Sequence, residues 1–305
     1  MISQYSTLQD YCKAINIPPP KRDDFDIRSF QENMPSVVHK MPPFKHEFYA
    51  IALKLEGSGK AISGHHESLE GSTVFFNSPF QIISWDIAPD WEGYYIIFTK
   101  DFIAKSKHLL HLLDEFSFLK IDKAIPFAVD AKEALPILSV FQNIYEELQN
   151  EKADSLLMLE AQVLLLLNYV KRYFNLKVDS NEASKAIRKT DVKLLSRFQT
   201  LIETQLRSDA PLGKGKTHSP SYYANQLGIH PNHLNTIVKS ITQHTAKQHV
   251  HEHLLRLAKS RLLQTDMSVK EIAYSLHFDS PNNFSSFFKK YTGKTPNSFR
   301  KEAIL

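Results

Sequence analysis

A single cysteine, Cys12, stands in 305 residues, so no disulfide can close within the chain and no cysteine-ligated zinc finger can be assembled. The opening stretch, MISQYSTLQDYCKAINIPPP, lacks the basic-then-apolar order of a secretory signal. Long hydrophobic runs are lacking too. The longest, Leu156 to Val170, is interrupted by Glu160 and Gln162 and is too short and too polar to span a bilayer. No Gly-x-Ser-x-Gly, His-Glu-x-x-His or nucleotide-binding glycine pattern occurs. Gly213-Lys214-Gly215-Lys216 is too short for a phosphate-binding loop, lacks a preceding strand, and reads as a basic surface loop. The expectation is a cytoplasmic protein with no membrane contact, no cofactor and no enzymatic motif.

What is present is unevenly distributed. Hydrophobic residues make up 42% and charged residues 23%, ordinary for a globular protein, and the length predicts two domains. Residues 187–305 hold 18 Lys+Arg against 8 Asp+Glu, a net +10, whereas residues 1–186 hold 19 against 25, a net −6. A basic half joined to an acidic half is the electrostatic footprint of a nucleic-acid-binding domain attached to something else.

The basic half contains one unit used twice. Ala224, Leu227 and Ile229 recur as Ala273, Leu276 and Phe278 at a spacing of 49. After one inserted residue, Leu234, Ile237, Val238, Lys239 and Thr242 recur as Phe284, Phe287, Phe288, Lys289 and Thr292 at 50. Each unit predicts a short helix, a tight turn and a second helix. Ser219-Pro220 and Ser280-Pro281 place a capping hydroxyl before a proline at the first helical position, and Ser268-Val269-Lys270-Glu271 is a capping box. Gly228 occupies the first turn, where a left-handed residue is expected, and His277 takes that place in the second. Apolar residues of the second helices recur at three and four, so one face is core. The other face carries Asn232, His233, Asn235, Thr236 and Lys239 in the first unit, and Asn282, Asn283, Ser286, Lys289 and Lys290 in the second. Short amides and hydroxyls can pair with base edges in a major groove and the lysines with phosphates. A single unit of this kind is also open to the reading of an ordinary helical pair with a solvated face. Two with matching polarity and lysine positions favour double-stranded DNA.

Ser268 to Arg300 resembles the C-terminal signature of the AraC/XylS family of bacterial transcription regulators. The matching residues are Ile272-Ala273, Phe278, Phe284-Ser285, Phe288-Lys289-Lys290, Gly293, Thr295-Pro296 and Arg300. The likeness covers residues 188–302, and more loosely the N-terminal part. It implies two helix-turn-helix units joined by a linker helix at about Ala246 to Leu263, with promoter DNA and RNA polymerase as partners and activation as the role. His277, Gln243 and His230 depart from the pattern, standing where glycine, glycine and serine are common. The lone cysteine argues against the DNA-repair methyltransferases that use the same module.

In chain order, residues 1–35 read as a mobile arm broken by Pro18-Pro19-Pro20. Glu47–Leu55, Ser72–Asn77, Gln81–Asp86 and Gly93–Thr99 read as short strands of an antiparallel sandwich or barrel. Their order resembles the cupin-like effector domain of the same family. Gly59, His65, His66 and Glu70 fall near the spacing of a cupin metal motif but lie on a hairpin tip, so no metal is expected. His39, His46, Tyr49, Trp85 and Tyr95 are candidates to line a small-molecule effector pocket, core packing being the alternative. Ala134–Gln149 and Asp154–Phe174 read as two amphipathic helices. The stripe Leu159, Val163, Leu166, Leu167 and Val170 is wider than one sheet face needs, and the resemblance implies that it forms a homodimer. Residues 176–189 are polar and read as a linker. His249 and His253 place two imidazoles four apart, around His251, without a third metal ligand.

The expected fold is α+β: residues 1–175 a cupin-like β barrel with a helical pair, and residues 190–305 an all-α tandem helix-turn-helix domain. The expected function is sequence-specific transcription regulation. Its rivals are a metal-dependent cupin enzyme fused to a DNA-binding module and a nucleoid-type protein that binds DNA without preference.

Overall fold

The computed structural model describes residues 2–64, 66–67, 70–106, 108–109, 112–179, 190–207 and 216–302. The linker residues 180–189, His65 and residues 213–215 of the basic loop lie outside the described residues. The chain divides into two compact units, residues 1–102 with 115–188 and residues 103–114 with 189–305.

The N-terminal unit begins with structure, not with a mobile arm. Strand β1 (Ser3–Tyr5) is followed by helix α1 (Leu8–Ala14), which Thr7 caps by accepting the Asp10 amide at 3.0 Å. Strand β2 (Phe25–Ser29) and helix α2 (Phe30–Asn33) come next. Then follow β3 (Lys40–His46), β4 (Tyr49–Glu56), β5 (Gly59–Ser63), β6 (His66–Glu67), β7 (Thr73–Asn77), β8 (Ile83–Ile87) and β9 (Glu92–Phe98). Short helices α3 (Lys100–Lys105) and α4 (Leu112–Glu115) and strand β10 (Phe127–Ala128) lead to α5 (Ala131–Gln149) and α6 (Ser155–Phe174). The arm is held because Leu8, Cys12 and Ile15 bury one face of α1, and because β1 pairs in parallel with β3, Ser3 opposite Phe44 and Tyr5 opposite His46.

The strands form two five-stranded sheets, ordered β1-β3-β8-β5-β6 and β10-β7-β4-β9-β2. No closed barrel is found: among the described residues no strand ladder joins one sheet to the other. The second sheet is covered on both faces, and its register shows how. Ile51 and Leu53 of β4 lie beside Phe76, Val74, Ile96 and Tyr94 on the face that receives the helices. There Tyr94 stacks on Phe141 of α5, and Phe76 meets Phe174 of α6 edge to face at 5.9 Å. Ala50 and Ala52 point to the opposite face, toward the first sheet.

This packing corrects the expected dimer stripe. Leu159, Val163, Leu166, Leu167 and Val170 have no exposed surface and are core between α6, α5 and the sheet. The helix's outer face instead carries Leu157, Met158 and Leu165, 67%, 45% and 48% exposed. α5 starts with a reciprocal capping box between Asp130 and Glu133.

The C-terminal unit contains α7 (Thr190–Arg207), α8 (Pro220–Gln226), α9 (Pro231–Thr242), α10 (Ala246–Gln264), α11 (Val269–Ser275), α12 (Pro281–Thr292) and α13 (Pro296–Glu302). α10 is the linker helix. Its buried face, including Val250, Leu254, Leu257 and Ala258, is the element on which both helix pairs pack. Among the described residues no helix is long and apolar enough to cross a membrane.

Candidate nucleic-acid interface

The two repeats coincide down to single hydrogen bonds. Ile229 N–H donates to the Ala224 carbonyl at 3.0 Å, and Phe278 N–H to the Ala273 carbonyl at 3.0 Å. These close the turns around Gly228, φ +70°, and His277, φ +62°. Gln243 N–H reaches the Lys239 carbonyl and Gly293 N–H the Lys289 carbonyl, both at 2.9 Å, with Gln243 and Gly293 left-handed at φ +63° and +76°. The Thr242 hydroxyl donates to the Val238 carbonyl and the Thr292 hydroxyl to the Phe288 carbonyl, both at 2.8 Å. A repeated sequence pattern has produced a repeated local geometry.

The N-termini of the two second helices are built from different caps. Ser280 Oγ accepts the Asn283 amide at 3.2 Å, whereas His230 Nδ1 accepts the Asn232 amide at 3.2 Å. The imidazole thus does the work expected of a serine.

On α9, Leu234, Ile237 and Val238 are buried; on α12, Phe284 and Phe288 are. Asn232, His233, Thr236 and Lys239 are exposed, as are Asn282, Asn283, Ser286, Lys289 and Lys290. Each helix therefore presents short polar side chains over its first two turns and ammonium groups near its end. The Thr236 hydroxyl donates back to the Asn232 carbonyl at 2.9 Å, leaving its methyl group and oxygen lone pairs outward. Asn235 departs from the expected reading face. It is only partly exposed, and its Oδ1 accepts the Ala246 amide at 3.1 Å, capping α10 from outside. In the second repeat the equivalent positions are Ser285 and Pro296, and proline has no amide to cap.

Several positioning residues escaped the sequence reading. His218 Nε2 donates to the Leu276 carbonyl at 2.7 Å and its ring lies 4.5 Å from that of Phe278, tying the entry of the first repeat to the turn of the second. Burial lowers the His218 pKa, so the neutral tautomer with hydrogen on Nε2 is favoured. Arg300, part of the signature, donates through Nε to the Leu262 carbonyl at 3.0 Å and through Nη2 to the Met267 carbonyl at 2.6 Å. Arg261 reaches Ser275. The signal for Arg300 was its place in the motif; His218 carried none.

The three imidazoles of α10 go to separate partners. His249 is buried against the Thr242 hydroxyl at 3.0 Å, His253 contacts Arg256, and His251 meets the Tyr291 hydroxyl at 2.5 Å. Desolvation, helped by Lys247, pushes the His251 pKa down to about 4.

Of the five expected pocket residues, Trp85 and Tyr95 line a cavity between the two sheets of the N-terminal unit. The other three do not. Tyr49 lies on the helix-facing side and stacks on Phe98 at 5.4 Å. His46 is buried and stacked on Phe48 at 4.1 Å. His39 contributes its backbone carbonyl to the Ile87 amide at 2.9 Å.

Residues 223–302 match a family model described as a helix-turn-helix domain. An uncharacterized HTH-type transcriptional regulator, YtdP, of Bacillus subtilis is 37% identical over 79 residues, 26% of this chain and 10% of that protein. The probable transcription factor PqrA of Proteus vulgaris is 33% identical over 82 residues, 27% of this chain and 67% of that one. The solved structure of ToxT from Vibrio cholerae aligns with 91% of this chain and 98% of its own at 12% identity, TM-score 0.33. The chain spans less than a third of the length of the first three curated relatives it matches. With the repeat, the signature, the family model and the curated sequence matches converging on one module, the chain belongs to the AraC/XylS family of transcription regulators.

Proposed function

We propose that this chain is a sequence-specific activator that binds promoter DNA through α9 and α12, laid in two successive major-groove segments. The observation that carries the reading is the matched exposure of the two helices, amides and hydroxyls leading and lysines trailing, on a unit whose net charge is +10 across residues 187–305. Asn232, His233 and Thr236 in the first repeat, and Asn282, Asn283 and Ser286 in the second, contact base edges. Lys239, Lys289 and Lys290 contact phosphates. Activation through RNA polymerase, and action in the cytoplasm, follow from the family and from a chromosomal target. The chain is not an enzyme; its relatives are named as transcription regulators.

The N-terminal unit senses a small molecule in the intersheet cavity and holds two copies of the chain together. The surface offered for that dimer is the outer face of α6, where Leu157, Met158 and Leu165 leave an exposed apolar stripe. Selection of binding sites from a random DNA pool tests the reading. A single enriched sequence that survives competition with random DNA supports it; no enrichment would mean binding without sequence preference.

A further inference from the structure

Between the two sheets of the N-terminal unit lies a cavity of ≈ 90 Å³. Strand register explains why space is left there. Ala52 of β4 lies between Phe75 of β7 and Tyr95 of β9, and Ala50 lies between Asn77 and Ile97. In the facing sheet Ala61 of β5 pairs with Trp85 of β8. Ala52 and Ala61 thus stand beside ladder neighbours that carry rings and Ala50 beside an amide and an aliphatic chain, and Phe75, Trp85, Trp91 and Tyr95 wall the gap without filling it. On the other face of β4 the same strand uses Ile51 and Leu53, both fully buried.

The wall has a definite chemistry. Among the described residues no Lys, Arg, Asp or Glu side chain lines it, and the titratable groups that do are Tyr11, Tyr95 and His66. Lys54 lies on the same face of β4 but outside the lining, its ammonium group 5.3 Å from the Trp91 ring and 3.4 Å from the Gly57 carbonyl. A carboxylate or ammonium group placed inside would lose its hydration with no opposite charge to replace it. The rings meet one another edge to face, Phe30 against Trp91 at 5.4 Å and Phe75 against Trp91 at 6.2 Å, and offer a flat guest both faces and edges. One polar anchor stands among them. Asn33 Nδ2 donates to the Tyr95 hydroxyl at 2.9 Å, and both residues are buried. The hydrogen of the Tyr95 hydroxyl has no acceptor among the described residues, and a guest that brings an acceptor can take it.

We infer that the cavity binds an uncharged aromatic molecule of a single ring, whose carbonyl, ether or ring-nitrogen acceptor takes the Tyr95 hydroxyl hydrogen. The inference rests on the sensory reading of the N-terminal unit and narrows it to a class of ligand.

The test uses the full chain and four probes: acetophenone, its acceptor-free counterpart ethylbenzene, the anion benzoate, and cyclohexyl methyl ketone, which keeps the carbonyl but is not flat. Affinities are measured by calorimetry at millimolar probe. The chain's two tryptophans, Trp85 and Trp91, both line the cavity, so their emission locates the binding. Acetophenone is expected to bind and shift that emission, with benzoate at least about tenfold weaker because its charge is desolvated. Ethylbenzene and the cyclohexyl ketone should fall between. Tyr95→Phe is expected to lower acetophenone affinity about fivefold and leave ethylbenzene unchanged. Ala52→Leu should remove binding of both, and Ala61→Val provides a smaller filling should that variant fold poorly. Benzoate binding as tightly as acetophenone, unchanged affinity in the filled variants, or no binding by acetophenone at all would overturn the inference. DNA affinity measured with and without acetophenone separates the two ideas. Bound probe with unaltered DNA affinity refutes the sensory role and leaves the ligand class standing.

Discussion

Asn232 and Asn235 lie three residues apart on α9 and carry the same side chain, but only the first faces outward. The second spends its oxygen on the first amide of the linker helix, and so positions α10. Asn235→Ala should cost about 1 kcal/mol of stability, the usual loss for a helix-capping oxygen, and leave the preferred DNA sequence unchanged. Chemical denaturation together with site selection on the variant checks both halves; relaxed sequence preference would return Asn235 to the reading face. His46 makes a different kind of prediction. Its burial pushes the imidazole pKa down to about 3, below the ordinary value near 6.5, so the folded state favours the neutral ring. The stability tied to that ring is complete above about pH 6.5 and is lost as pH falls from there toward 3, at up to about 1.4 kcal/mol per pH unit. His46→Phe should flatten the acid limb of stability against pH over that window, and in the unsubstituted chain the His46 imidazole proton signals should not titrate at pH 5. An unaltered acid limb would mean that the ring is solvated.

At the scale of elements, the repeat holds left-handed positions at which glycine is present in one copy and absent in the other. Gln243 and His277 sit at φ +63° and +62°, where a side chain costs about 1 kcal/mol, while Gly293 and Gly228 hold the equivalent turns. Gln243→Gly and His277→Gly should each raise the unfolding free energy by about 0.5–1 kcal/mol, read by denaturant titration. The repeats, their caps and these turns were legible beforehand, because proline, serine and turn residues act locally. The N-terminal elements were less so. Leu8, Tyr11, Cys12 and Ile15 do follow helical spacing, but the prolines and charges after them obscured it, and what holds the segment, burial of that helix face and β1 pairing with a distant strand, is not local. The width of the α6 stripe was read correctly as excess apolar surface, yet which side would be covered depends on α5 and the sheet, which no local pattern specifies. Leu157→Glu with Leu165→Glu, two turns apart on the outer face, should abolish the proposed dimer in sedimentation with little change in protomer stability. Val163→Glu, by contrast, should unfold the N-terminal unit, since it buries an unpaired carboxylate at a cost of several kcal/mol. Retention of the dimer mass by the double variant would place the interface elsewhere.

At the scale of the whole molecule, charge divides the labour. An acidic N-terminal half encloses an apolar cavity, and a basic C-terminal half presents two copies of one polar helix face. The central claim is that the leading residues of that face read bases while its trailing lysines anchor the backbone. Asn282 is at the start of α12 and Lys289 near its end, both exposed. The direct measurement is the affinity of Asn282→Ala and Lys289→Ala for the selected duplex and for a scrambled one, across a salt series. Asn282→Ala should cost about 1–3 kcal/mol on the selected duplex, relax preference at one base position, and leave the scrambled duplex unaffected. Lys289→Ala should weaken both duplexes alike and reduce the slope of log affinity against log salt by about 1. If Asn282→Ala weakens both duplexes equally, α12 is an anchor and not a reader, and the account of this interface is contradicted.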